Sequence, residues 1–363
     1  FIAYQRSDIL SNIKTIISLA IYTLQLVILI TIRNYYVYVI ILPVFTIIEN
    51  IITAVIANRL FPDLSCKGKI TIPEKRIIRD HVKGIALQKI CSVSRNSFDS
   101  IVISFYLGLT TVAIYGNYYY IMSSIHNILY LIPNSIRASV GNSIACESVE
   151  KNYRDFKVIS FIYMWLSGWC CICLLCLYQP FMQLWMGNHY MFPPETMLLF
   201  CFYFYELSMS DIISLYKDGA GLWWYGRYRT IIEAVANLVL NFVLGAIWGV
   251  NGIIAATIIT IFFLGLGYGG YIVYAYYFKT KKFSEYILSQ LSNIGITAFA
   301  GAITLFSCFL LPTKGIMNFL CRVSICIIIP NIIFWVIYRK LKYYAEAKRF
   351  VHNMKQQFTA KNL

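Results

Sequence analysis

The sequence predicts an all-α, polytopic membrane helix bundle of about ten transmembrane helices. Three observations carry that prediction. Only 13% of the 363 residues are charged while 59% are hydrophobic, against roughly 25% charged in soluble chains. The apolar residues gather in unalternating runs near the ~20 residues that cross a ~30 Å hydrocarbon core as a helix, too long and too uniform for barrel strands. The basic residues fall between alternate runs, as they do when the loops of a multi-pass protein are sorted to one side of a membrane.

In chain order the spans are 13–32, behind the polar entry AYQRSD; 35–56, behind Arg33 and Asn34; 84–107 and 112–136, in the stretch rich in Tyr and Ile; 158–178; 196–216; 230–248; 252–278; 290–311; and 316–338. One side receives Arg6, then the cluster from Arg59 to Arg79, then Arg137 to Lys157, Lys217 to Arg229, Lys279 to Lys282, and the tail RKLKYYAEAKR. The other receives little beyond Arg33 and Lys314. That asymmetry puts both termini in the cytoplasm and accounts for the formal charge of +15 without nucleic acid. QPFMQLWMGNHYMFPPE, aromatic and free of Lys and Arg, reads as an outer interfacial segment, and GLWWYGRYR as the inner aromatic belt. Phe1 is not a methionine, no signal-peptide pattern precedes the first span, and the chain reads as beginning mid-protein.

Eleven cysteines lie mainly in apolar runs and read as reduced packing residues. CCICLLC, 170–176, contains a C-x-x-C spacing that binds zinc elsewhere, but no His or carboxylate adjoins it, and neither a metal nor a cofactor is expected. GLGYGG, 265–270, matches a dinucleotide expression without the strand it needs, so its glycines read as points of close helix approach, as do Gly245 and Gly249. No catalytic triad, zinc-protease motif or phosphate loop is present, so an enzyme is the weaker reading and transport would draw on an ion gradient.

Charge inside a span is costly, at least ~2.5–3.5 kcal/mol at the bilayer centre, and marks cavities or pairs. Glu49 and Glu206 are ion-coupling candidates, with Asp99. Asp211 and Glu233, nearer span ends, are expected to reach the interface. His126 is either a proton relay or a polar contact between helices. Gln88, Ser92, Arg95, Asn96 and Asp99 fall at i, i+4, i+7, i+8 and i+11 and form one polar stripe. At 1.5 Å per residue from Gly84, Arg95 lies roughly 16 Å deep. Arg95 is expected to meet an anionic substrate group, with Asp99 one turn away holding it otherwise; the bland alternative is a permanent ion pair. Asn117 joins the cavity candidates.

SRNSFDSIVISFYLGLTTVAIYGNYYYIMSSI, SIRASVGNSIACES, FMQLWMG and LYKDGAGLW resemble the second half of bacterial polysaccharide repeat-unit flippases, the O-antigen and capsule type within the multidrug/oligosaccharidyl-lipid/polysaccharide exporter superfamily. The resemblance implies the C-terminal part of a two-lobe exporter fold. Residues 1–57 would be the last two helices of an N-terminally truncated first lobe, 58–83 a basic cytoplasmic inter-lobe linker, 84–278 a six-helix second lobe, 279–338 an extra helix pair and 339–363 a basic cytoplasmic tail. It further implies that an undecaprenyl-pyrophosphate-linked oligosaccharide is flipped across the bacterial cytoplasmic membrane by alternating access. Membrane lipids and a polysaccharide polymerase are the other expected partners. A cation-coupled multidrug exporter, with a more acidic or aromatic cavity, and a membrane glycosyltransferase or ligase are the alternatives.

Overall fold

The computed structural model describes residues 6–62, 70–311, 315–341 and 343–350. Within these, the side chains of Ser7, Ile77, Asp80, His81, Gly84, Ile85, Leu87, Gln88, Ser92, Ser94, Arg95 and Asn96 are outside the description. The fold is an all-α polytopic bundle, and among the described residues nine helices are long and apolar enough to cross a membrane. The chain forms two compact units, Phe1–Lys75 and Arg76–Leu363.

The first unit is a helix pair, α1 (Ser7–Thr31) and α2 (Tyr35–Leu60). The turn between them places Arg33 at φ 52°, and Asn34 caps α2 by accepting from the backbone N–H of Tyr36 at 2.9 Å and Val37 at 3.3 Å, donors that a helix start leaves unsatisfied. Gln25 donates across the pair to the Tyr38 carbonyl at 3.3 Å.

The longest helix is α3 (Ile72–Cys146). Glu74 closes its first turn by reaching back to Thr71, whose backbone N–H and hydroxyl both donate to one Glu74 oxygen at 3.1 and 2.6 Å. Those two hydrogen bonds hold the exposed Glu74 carboxyl below its usual range. The expected linker, 58–83, is therefore helical from Ile72 onward, while 63–69 lies outside the described residues. The expected spans 84–107 and 112–136 meet inside α3, with no loop between them: Gly108, at φ 80° and ψ 170°, carries the break in a run that is otherwise helical on both sides. Only glycine takes that φ without strain. Gly108 thus divides α3 into two helical stretches, which stand where the two spans were expected.

α4 (Val149–Met186) starts on a Ser148 cap and α5 (Pro194–Gly219) on a proline at its first turn, which costs no hydrogen bond there. The supposed outer loop is therefore shorter than expected. QPFMQLWM belongs to α4, and only Gly187 to Pro193 connects the helices, tied down where Gln179 donates to the Phe192 carbonyl at 2.8 Å and Tyr118 donates to Gln179 at 2.9 Å. Then follow α6 (Arg227–Trp248), α7 (Val250–Phe278), α8 (Phe283–Phe309) and α9 (Gly315–Tyr338).

α4 is the centre of this unit and packs on α5, α8 and α9, while α6 and α7 form a tight hairpin through Gly249. A Cβ on Gly252 would stand 1.9 Å from the Leu244 carbonyl oxygen, so the hairpin closes only because that residue has none. The glycines expected to allow close approach do so at Gly245, against Ile253, and at Gly270, against Phe283 and Tyr286. α7 is itself irregular, with π-helical turns over Ile261–Tyr268 and Tyr274–Phe278. The core is strongly aromatic: Tyr118, Tyr163, Tyr178, Phe156, Phe200, Phe204 and Phe278 are all fully buried. Tyr118 stacks on Tyr178, which donates a hydrogen bond to the Tyr118 carbonyl.

Candidate functional site

Inside the second unit α3, α5, α6 and α7 line a polar cavity of about 630 Å³. Each helix brings charge to it for a different local reason. From α3, His126 and Arg137 lie three turns apart on the same side. From α5, Asp211 and Asp218 lie two turns apart, and on α6 Arg229 and Glu233 are a single turn apart.

Three acid–base contacts organise the space. His126 Nε2 lies 3.0 Å from Asp211 Oδ2, and the same oxygen accepts from the buried Tyr163 hydroxyl at 2.8 Å. Arg137 donates to Asp218 at 2.7 Å and to the Tyr130 hydroxyl at 2.8 Å. Arg229 donates to Glu233 at 2.8 Å and to the Leu264 carbonyl, in the first π-helical stretch, at 3.1 Å. Tyr119, Tyr130 and Tyr203 add aromatic wall. A cluster of this kind inside a membrane bundle is balanced by pairing, which is how ionised side chains survive in a low-dielectric interior. It can also trade partners: a guanidinium held by one carboxylate keeps further N–H donors for an anion.

Asp99 stands elsewhere, in a closed network between α3, α6 and α7, and is not among the cavity-lining residues. It accepts from Asn241 Nδ2 at 2.8 Å, from the Tyr115 hydroxyl at 3.1 Å and from Thr257 Oγ1 at 3.4 Å. Asn237 continues the network to Thr257 at 3.0 Å and Thr260 at 3.4 Å, and all six residues from α3, α6 and α7 that build it are buried. One acceptor in it, Asn241 Oδ1, is buried without a donor among the described residues.

The remaining expectations fall out as follows. Gln88, Ser92, Arg95 and Asn96 are on helical backbone of α3, and their side chains lie outside the described residues. Asn117 is half-buried and does not line the cavity. Glu206 is buried at 1% exposure, and neither of its oxygens has a hydrogen-bond partner among the described residues. Glu49 is half-buried on α2, in the first unit. Asp211 and Glu233 do not reach an interface: both are buried, because His126, Tyr163 and Arg229 give them partners inside the bundle. His126 is an acid's partner on the cavity wall. Arg137 and Arg229 were counted among the cytoplasmic loop charges, whereas both line the cavity and Arg229 is buried, and Asp218 was passed over; only the i, i+4 spacing of Arg229 and Glu233 in RYRTIIE signalled a pair.

Away from the cavity, Cys176 of the CCICLLC run meets Cys308 and Cys326, with the three sulfur atoms within 4.8 Å of one another. They are free and buried. The chain matches no protein-family model, no curated protein and no solved structure.

Proposed function

We propose that the chain works in a carrier that moves an undecaprenyl-pyrophosphate-linked oligosaccharide across a bacterial cytoplasmic membrane, by alternating access and at the expense of an ion gradient. The observation that supports it is the polar cavity inside the membrane bundle, where Arg137 and Arg229 sit beside carboxylates that an incoming pyrophosphate can replace. Sugar hydroxyls find the tyrosines of the same wall. The Asp99 network, with its spare amide oxygen, is the place for the coupling cation. Both termini lie in the cytoplasm on this reading, and a polymerase would take the product outside.

The test is made on chromosomal variants in the source strain. Arg137→Ala with Asp218→Ala, to which Lys217→Met is added because Asp218 also holds the buried Lys217 at 3.8 Å, and Arg229→Ala with Glu233→Ala, remove each charged group together with its partner. Normal membrane abundance with lipid-linked repeat units accumulating and surface polysaccharide lost is the expected result. Unchanged surface polysaccharide in both variants would sink the cavity assignment. Topology is read separately: a His189→Cys thiol should react with an impermeant reagent in intact cells, and a Lys281→Cys thiol should not.

One observation favours a second reading. The cavity wall carries three carboxylates, Asp211, Asp218 and Glu233, against two guanidiniums, together with three tyrosines. An exporter of organic cations needs that surplus of acid and aromatic faces. Raised sensitivity to cationic dyes in the same variants, with polysaccharide intact, would select it.

A further inference from the structure

We propose that Cys176, Cys308 and Cys326 form a three-sulfur binding site for copper(I). The sulfurs come from α4, α8 and α9, three separate helices, and converge to within 4.8 Å of one another. All three residues are buried, at 1%, 0% and 0% exposure, and all three thiols are free. Three sulfurs around a metal at about 2.3 Å stand roughly 4 Å apart, so less than an ångström of closure, within the play of three χ1 angles, turns the cluster into a trigonal ligand set.

The donor set and its surroundings choose the metal. Thiolate sulfur selects soft ions, among them copper(I) and zinc. Zinc closes a structural site with four ligands, and among the described residues no His or carboxylate completes the three-sulfur group. Each sulfur ligates as its thiolate, so the bound site carries net negative charge, and Arg322, which donates to the Cys176 carbonyl at 3.2 Å, is the cation beside it.

An entry path exists as well. Cys173, one turn before Cys176, interacts with Cys326 and also lines an open apolar groove of about 400 Å³ with Leu177, Phe181 and Phe319. A soft monovalent ion can be handed from that half-buried sulfur to the buried three. Once seated, the metal ties the α8–α9 hairpin to α4.

The experiment uses the full chain, purified in detergent, fully reduced and without oxygen. Copper(I) is titrated against bicinchoninate, and X-ray absorption is recorded on the loaded wild type. One copper per chain is expected, bound by three sulfur scatterers at roughly 2.3 Å. Cys176→Ala, Cys308→Ala and Cys326→Ala should each weaken retention by more than the roughly 10–100-fold of an outer-shell change, while Cys146→Ala and Cys91→Ala leave it unchanged. The absorption spectrum needs no variant, so a misfolding substitution does not blunt the test. Failure of the wild type to hold copper against bicinchoninate would overturn the proposal, as would nitrogen or oxygen scatterers, a four-sulfur shell that takes zinc in preference, or retention indifferent to the three alanines.

Discussion

α2 and α5 are both 26-residue apolar helices, yet they live in different surroundings. The more apolar of the two, α2, buries only 6% of its membrane window, and its Ile40, Leu42, Ile47 and Ile51 are exposed. α5 is the least apolar of the nine and buries 67%. In water the order would be reversed. In lipid an isoleucine gains nothing by leaving the hydrocarbon for a protein interior, whereas an aspartate, a lysine or a tyrosine hydroxyl gains a partner. α5 is drawn inward by Asp211, Lys217, Asp218 and its tyrosines, and polarity rather than apolarity marks the inside of this bundle.

That contrast can be pressed from both ends. The largest effect is expected from Asp211→Leu, which makes α5 more apolar and leaves the Tyr163 hydroxyl and His126 without their acceptor, at about 1–3 kcal/mol each. A lower melting temperature in detergent is the readout; a rise would mean that apolarity, after all, stabilises the interior. Gly252→Ala should come next, at about 1–3 kcal/mol or more, because the added carbon meets backbone at 1.9 Å and forces α6 from α7. Cross-linking across that hairpin should fall in step. Glu206→Gln is expected to leave stability nearly unchanged, since it replaces at equal size a buried carboxyl that no described group partners; loss of folded protein would reveal a partner and move Glu206 into the charged network. The smallest change belongs to α2. Ile47→Ala, at a site 61% exposed, should stay within about 0.5 kcal/mol by the same melting measurement.

The spans were legible because length and apolarity alone specify a membrane helix, and the two expected on either side of Gly108 are joined by a backbone break at that glycine with no loop residues. Helix ends were read short wherever a helix outruns its apolar window, as α4 does on both sides of 158–178. The site was legible in parts only. His126, Glu206, Asp211, Glu233 and Asp99 stood out as polar residues in apolar surroundings, but what each one does depends on partners far along the chain. Asp211 meets His126 across 85 residues and Asp218 meets Arg137 across 81, and no local spacing encodes either. For the same reason Asp211 and Glu233 were expected at an interface: a carboxylate near a span end looks solvated until its partner is known.

The wide turns of α7 have a consequence for phase. Between Ile261 and Tyr268 the backbone bonds run five residues back, the Gly269 N–H reaching the Leu264 carbonyl, and the same happens when Lys279 bonds Tyr274. Each residue taken up in this way turns everything beyond it by about 100° relative to a regular helix. Thr257 and Thr260 face the Asp99 network on one side of the first wide stretch, and Gly269 and Gly270 face Arg229 and Phe283 on the other. Those two faces are in step only through the wide turns. A helical wheel drawn at 3.6 residues per turn misplaces the second half of α7, and a one-residue deletion within 261–268 would rotate the Gly270 contact out of its seat while leaving composition and length almost unaltered.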